Sequence, residues 1–243
     1  MSFPVLGVRP RLAPTLLVGL ALLILLGLGT WQVERLAWKT RLIDTIASRM
    51  SAPPRPLTGA DLGSVADYER VRVEGRFLHD RELHMLARSL QGNEIGYQVL
   101  TPFEVAGGGT VIVNRGFVPS DRRDPATRRD GQVQGPTTVT GIARYPVAPL
   151  LQWVIPENRP SENFWIWADL PRMAEAAGVG AVAPFTIEAD AESNPGGMPV
   201  GGQTRLNIPN DHLQYAITWY ALALALIVMF IVHHRRTSAG REG

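Results

Sequence analysis

Of the five histidines in the chain, His212 has the setting best suited to chemistry. It lies in Pro209-Asn210-Asp211-His212-Leu213-Gln214-Tyr215, where a polar segment gives way to an apolar one. Asp211 and Gln214 have the residue types of a capping box, which predicts His212 as the first residue of a helix. On a helical wheel His212 shares a face with Ala216, Trp219, Ala223 and Phe230, with Tyr215 at the edge. Two alanines and an indole leave a flat slot below the imidazole, a setting for a neutral, iron-ligating histidine. The same small residues suit close helix packing. The same histidine also suits an interfacial aromatic belt with Trp31, Tyr215 and Trp219. The residues alone leave these readings open.

The other candidates read more plainly. His79 and His84 fall at an odd separation, which puts them on opposite faces of a shared strand. They read as solvated strand histidines rather than metal ligands. His233 and His234 belong to a basic flank with Arg235, Arg236 and Arg241. Arg122, Arg123, Arg128 and Arg129 alternate with Asp121, Asp124 and Asp130, the pattern of a solvated loop. The chain has no Cys, which excludes disulfides, thiolate metal sites and covalent c-type haem together. No Gly-x-Ser-x-Gly elbow, phosphate loop or His-Glu-x-x-His occurs. No catalytic residue is therefore nominated, and a non-enzymatic role is expected. A net charge of +2 without a basic cluster gives no case for nucleic acid.

These residues are positioned by elements whose kind is legible. Residues 13–31 and 213–232 contain no charge. Each matches the roughly 20 apolar residues that cross a bilayer core. The first is too long for a signal-peptide core and lacks a small-x-small cleavage site, so it reads as an uncleaved anchor. The basic residues beyond the second span place the C-terminus in the cytoplasm, and Arg9 and Arg11 agree for the N-terminus. The lipid bilayer is thus one expected partner. The expected order is a cytoplasmic tail at 1–12, a span at 13–31, a β-rich periplasmic domain at 32–212, a span at 213–232 and a basic cytoplasmic tail at 233–243. This is an α+β membrane protein, with two transmembrane helices at the termini flanking an extracytoplasmic domain.

Within the middle, helical spacing continues through residues 31–50, and Ser51 to Pro56 reads as a linker. Strands are expected at Arg70–Glu74, Glu82–Arg88, Ile95–Glu104, Thr110–Val118, Thr137–Arg144, Phe164–Trp167 and Phe185–Ala189. Gly107–Gly109 reads as a hairpin turn, and Leu170–Ala177 as a short helix with Pro171 in its first turn. About seven short strands suggest an antiparallel domain, a partial barrel.

Five segments together resemble the surfeit-locus family of cytochrome oxidase assembly factors. They are Gly29-Thr30-Trp31-Gln32-Val33-Glu34-Arg35-Leu36-Ala37-Trp38-Lys39, Gly96-Tyr97-Gln98-Val99-Leu100-Thr101-Pro102-Phe103, Val113-Asn114-Arg115-Gly116-Phe117-Val118-Pro119, Asn194-Pro195-Gly196-Gly197 and Asn210 to Tyr220. The family more often carries Trp where Phe117 stands. The resemblance implies a chaperone of the bacterial inner membrane that binds haem a transiently and assists its delivery. The recipient is the large haem-bearing subunit of a terminal oxidase, and haem a synthase is a further partner. It implies His212 as the iron ligand, with Trp31, Tyr215 and Trp219 around the group. Arg35 and Arg205 are candidates for the propionates. A single protein ligand suits a site that must release its cargo to a stronger one. The alternative is a membrane-anchored scaffold for oxidase assembly that does not touch haem.

Overall fold

Nothing in residues 12–51 breaks a helix except Pro14, which falls in the first turn where its missing N–H costs nothing. In the computed structural model these residues form one 40-residue helix, α1 (Leu12–Ser51), which stops just before Pro53-Pro54. The structure describes residues 12–89, 92, 94–149, 154–192, 194–204 and 208–239. Two units are distinguished, one of residues 1–45 with 207–243 and the other of residues 46–206.

The first unit pairs α1 with α3 (His212–Ala239). Both helices are long and apolar enough to cross a membrane. Leu16, Leu17, Leu20 and Leu23 face outward, the reverse of a water-soluble helix. The shielded positions of α1 run Leu22, Leu25, Gly29, Gln32, Leu36, Lys39, and those of α3 run His212, Ala216, Trp219, Ala223, Leu226, Phe230. Alternating steps of three and four are the seam of a left-handed pair. Tyr220 Oη lies 3.2 Å from Thr30 Oγ1, His212 meets Gln32 and Asn210 meets Thr40. One number falls as the other rises, so the helices are antiparallel. Gly29 makes the approach possible, since a Cβ there would stand 2.7 Å from the Tyr220 ring.

The second unit is a barrel. Its strands are β1 (Arg55–Leu57), β2 (Arg70–Phe77), β3 (Leu83–Arg88), β4 (Ile95–Val105), β5 (Thr110–Pro119), β6 (Thr137–Arg144) and β7 (Val182–Ala189), with helix α2 (Leu170–Ala176) before β7. Five strands close on themselves in the order β2-β6-β7-β5-β4. Pairing of Gly75–Phe77 with Phe103–Val105 completes the ring. Strand β1 adds to β2 in parallel, and β3 adds to β4. Period-2 alternation fills both faces. Val71, Val73, Phe103, Val105, Val111, Val113, Phe185 and Ile187 form the barrel core. Leu83, Leu100 and Ile112 point the other way and pack with Trp165, Leu170 and Met173.

Several expectations need correction. The barrel is closed rather than partial, and β5–β7 is parallel as well as β1–β2. Phe164–Trp167 is not a strand: Trp165 makes one bridge to Met85 and Phe164 one to Arg159. The linker at Ser51–Pro56 contains most of β1.

Candidate functional site

His212 opens α3, as expected. Among the described residues, however, neither side-chain bond of the capping box between Asp211 and Gln214 is formed. The His212 ring is instead held across the helix pair, with Nδ1 2.7 Å from Gln32 Oε1. Ala216 and Ala223 lie fully against the seam, and Trp219 is half-buried one heptad below His212. The seam reading of the small residues therefore holds, and they do not form an open slot.

The aromatic candidates divide between seam and flank. Tyr220 covers Gly29 on one flank of the pair. At about 100° per residue, Tyr215 on α3 and Trp31 on α1 both fall on the opposite flank. Both are roughly half exposed, Trp31 at 49% and Tyr215 at 54%. Arg35 stands on the same side, its guanidinium 5.8 Å from the Trp31 ring and 5.1 Å from that of Trp38. His212 thus lies on the seam, beside a flank on which the Trp31 and Tyr215 rings are half exposed. Arg205 lies outside the described residues. One feature fits a haem: with Nδ1 engaged by Gln32, Nε2 would be the ring nitrogen to hold iron.

A second cluster lies in the barrel unit, and the sequence reading missed it. Glu82 is buried between Arg128 and His84. Arg128 donates from Nη1 to Glu82 Oε2 at 3.1 Å and from Nη2 to Oε1. His84 Nε2 lies 2.8 Å from Oε1, and His84 Nδ1 accepts from Arg123 Nε at 3.3 Å. Burial pushes the Glu82 carboxyl up, but the bonds from His84 and Arg128 outweigh it and hold it below its ordinary value. Next to this pair, the Arg115 guanidinium donates to Gly131 O, to Asn194 Oδ1 at 3.2 Å and toward His79 Nδ1 at 3.4 Å. It stacks 4.8 Å above Phe77. Burial lowers Arg115 to about 10. Burial likewise lowers His79, whose Nε2 lies 2.9 Å from Val133 O.

His79 and His84 are therefore buried and partnered, not solvated. Only His84 is in a strand, and His79 begins a short 3-10 turn. Arg123 and Arg128 are built into the core edge, and the solvated-loop reading suits only the exposed Arg122 and Arg129. A cavity of about 550 Å³ opens beside the cluster, lined by Phe77, His79, Glu82, His84, Gln132 and Asn163 among others.

The cluster also joins segments far apart in sequence. Arg115, from Val113–Pro119, reaches Asn194, from Asn194–Gly197. Its neighbour Gly116 lies under Val200, with φ of +121° and no room for a Cβ. Asn114 Nδ2 donates at 2.6 Å to Glu188, a carboxyl that burial raises above its ordinary range.

The sequence model of the SURF1 family matches residues 19–224. This chain belongs to the SURF1 family. Its members include a SURF1-like protein of Monosiga brevicollis, 40% identical over 89% of this chain and 85% of that protein. Surfeit locus protein 1 of Mus musculus is 40% identical over 82% of this chain and 68% of its own length. The Homo sapiens protein of the same name is 37% identical over 88% and 75%. The SURF1 match runs from the apolar part of α1 into α3, so it takes in the His212–Gln32 pair and the whole barrel.

Proposed function

We propose that this chain is a membrane-anchored assembly factor for a haem-copper terminal oxidase, and that it holds haem a at His212 for delivery to the large haem-bearing subunit. The observation that carries this reading is His212 itself. It heads an apolar helix, its Nδ1 is engaged from α1, and its Nε2 is left for a ligand. Haem a supplies, when bound, an iron centre and a farnesyl tail that belongs in hydrocarbon. His212 is the iron ligand in this reading, and Trp31, Tyr215 and Trp219 offer flat apolar surface. Arg35 offers positive charge to a propionate. The open flank lets a long tail lie in lipid, and a single protein ligand permits release.

The apolar helices support membrane anchoring. In the proposed arrangement they span at 13–31 and 213–232, in the inner membrane of a bacterium. The tails 1–12 and 233–243 face the cytoplasm, and residues 32–212 face the periplasm. Haem a synthase is the partner expected to supply the group. The role is that of a chaperone, without catalysis. The test is the visible spectrum of protein purified in detergent from cells that make haem a, beside His212→Ala. Haem a near one per chain, lost or spectrally altered in the variant, supports the reading. Haem-free wild type, with oxidase assembly still dependent on the protein, sinks it and leaves a scaffold.

A further inference from the structure

The geometry points to Gln32 as the residue that sets the tautomer and donor strength of His212; we propose this as its role, resting on the reading of His212 as a haem ligand. Gln32 occupies a seam position of α1 that its neighbours fill with Leu25, Gly29 and Leu36. A polar side chain amid apolar packing is costly unless it is bonded. Its Oε1 lies 2.7 Å from His212 Nδ1. A carbonyl oxygen can only accept, so Nδ1 carries the proton and the Nε2 lone pair is free. The bond also stops the ring turning about its last torsion, so Nε2 is held in one direction. The seam fixes both partners, because the contacts of Thr30 with Tyr220 and Thr40 with Asn210 bracket the pair on either side.

The kind of acceptor matters as much as its position. Acceptors on the far nitrogen of a ligating histidine raise its basicity, and a carboxylate does so more than a neutral oxygen. An amide gives an oriented but weak donor. That is the character a carrier needs if it is to surrender its cargo to a stronger site. Glu at this position would give the same geometry with a firmer iron bond.

The test has two arms. The first uses the full-length, haem-free protein in detergent, labelled with 15N-histidine, with His212→Ala to assign the signal. Ring-nitrogen shifts should show His212 protonated at Nδ1 in the wild type and shifted toward Nε2–H in Gln32→Leu. A wild-type His212 already protonated at Nε2 overturns the proposal. The second arm adds haem a. Gln32→Leu should bind it about 10–100-fold more weakly. Gln32→Glu should raise the ferrous iron–histidine stretching frequency and slow transfer to an apo-acceptor. Unchanged affinity in Gln32→Leu, together with an unchanged stretch in Gln32→Glu, also overturns it. The haem-free arm judges Gln32 and the spectrum of the wild type judges the proposed function, so either can fail without the other.

Discussion

Glu82 and Arg128 carry the clearest consequence of a single side chain. Their side chains are 4% and 2% exposed, so each is a buried charge neutralised by the other, with His84 bonded to Glu82 and the carbonyls of Arg122 and Arg123 accepting from Arg128. Removing one partner leaves the other uncompensated, which costs about 3–5 kcal/mol. Glu82→Gln should therefore lower the urea midpoint of the barrel sharply. Glu82→Met combined with Arg128→Met should recover much of the loss, since an apolar pair of similar volume is often neutral. Equal loss in both variants would show that packing, not charge, holds the site. His79 adds a pH dependence. An unfolded histidine titrates near about 6.5, and His79 lies below that in the fold. The folded chain then binds fewer protons, so this stability is full above about pH 6.5 and is lost as pH falls through the folded value. Glu188 acts with the opposite sign, since its folded value is raised and its contribution is lost as pH rises. The readout is thus the difference between wild type and His79→Gln in urea unfolding between about pH 5 and pH 7. The wild type should lose more stability on acidification than the variant. Little of this was legible beforehand. An alternating Arg/Asp segment has the composition of a solvated loop, and only the fold shows that Arg128 turns inward to a carboxylate 46 positions away. His212 was legible because the helix start and the apolar run are both local signals. Its partner Gln32 was not, because the register between two helices is set by their packing.

At the scale of elements, local periodicity and pairing part company. β6 was readable to the residue, because Thr137, Thr138, Val139, Thr140 and Ile142 make a mostly β-branched run that begins just after Gly135-Pro136. α1 was readable through residue 50 from its spacing. β1 was hidden among Pro53, Pro54 and Pro56, since a three-residue parallel strand is defined by its partner rather than by itself. The parallel pairing of β5 with β7 is a long-range fact that no short window contains. Gly116 is where such long-range geometry becomes a sequence requirement. It sits in β5 at φ +121°, and a Cβ there would lie 2.0 Å from Val200 O. Phe117 and Val200 exchange both backbone bonds at 2.9 Å, so the carbonyl is not free to retreat. Gly116→Ala forces either a conformation that costs about 1–3 kcal/mol or the loss of that bridge. The variant should unfold at lower urea, with faster amide exchange at Phe117 and Val200. Ala at Gly63, where no atom lies within 4 Å, should be neutral by comparison.

At the scale of the molecule, the helix pair and the barrel dispose their apolar side chains in opposite ways. The leucines of α1 at 16, 17, 20 and 23 face outward, which suits an apolar surround. The barrel instead buries its own apolar surface in two cores, one inside the ring and one between the sheet and α2. Ring closure through β2 and β4 leaves the five barrel strands without an open edge. β3, which lies outside the ring, is bridged by Trp165. Trp165, Phe103 and Phe185 are fully buried within the unit of residues 46–206. A domain with its own closed hydrogen-bonded ring and its own core does not need the helices to fold. Residues 53–206 expressed alone should therefore be water-soluble and monomeric, with a cooperative urea transition and the same penalty for Glu82→Gln as in the full chain. Haem a affinity, by contrast, should be absent from this fragment, because His212 and Gln32 belong to the other unit. A fragment that aggregates or unfolds without cooperativity would show that the barrel draws stability from the helices. A fragment that binds haem a stoichiometrically would move the site into the barrel, where the cavity beside His79 and His84 is the place to look for it.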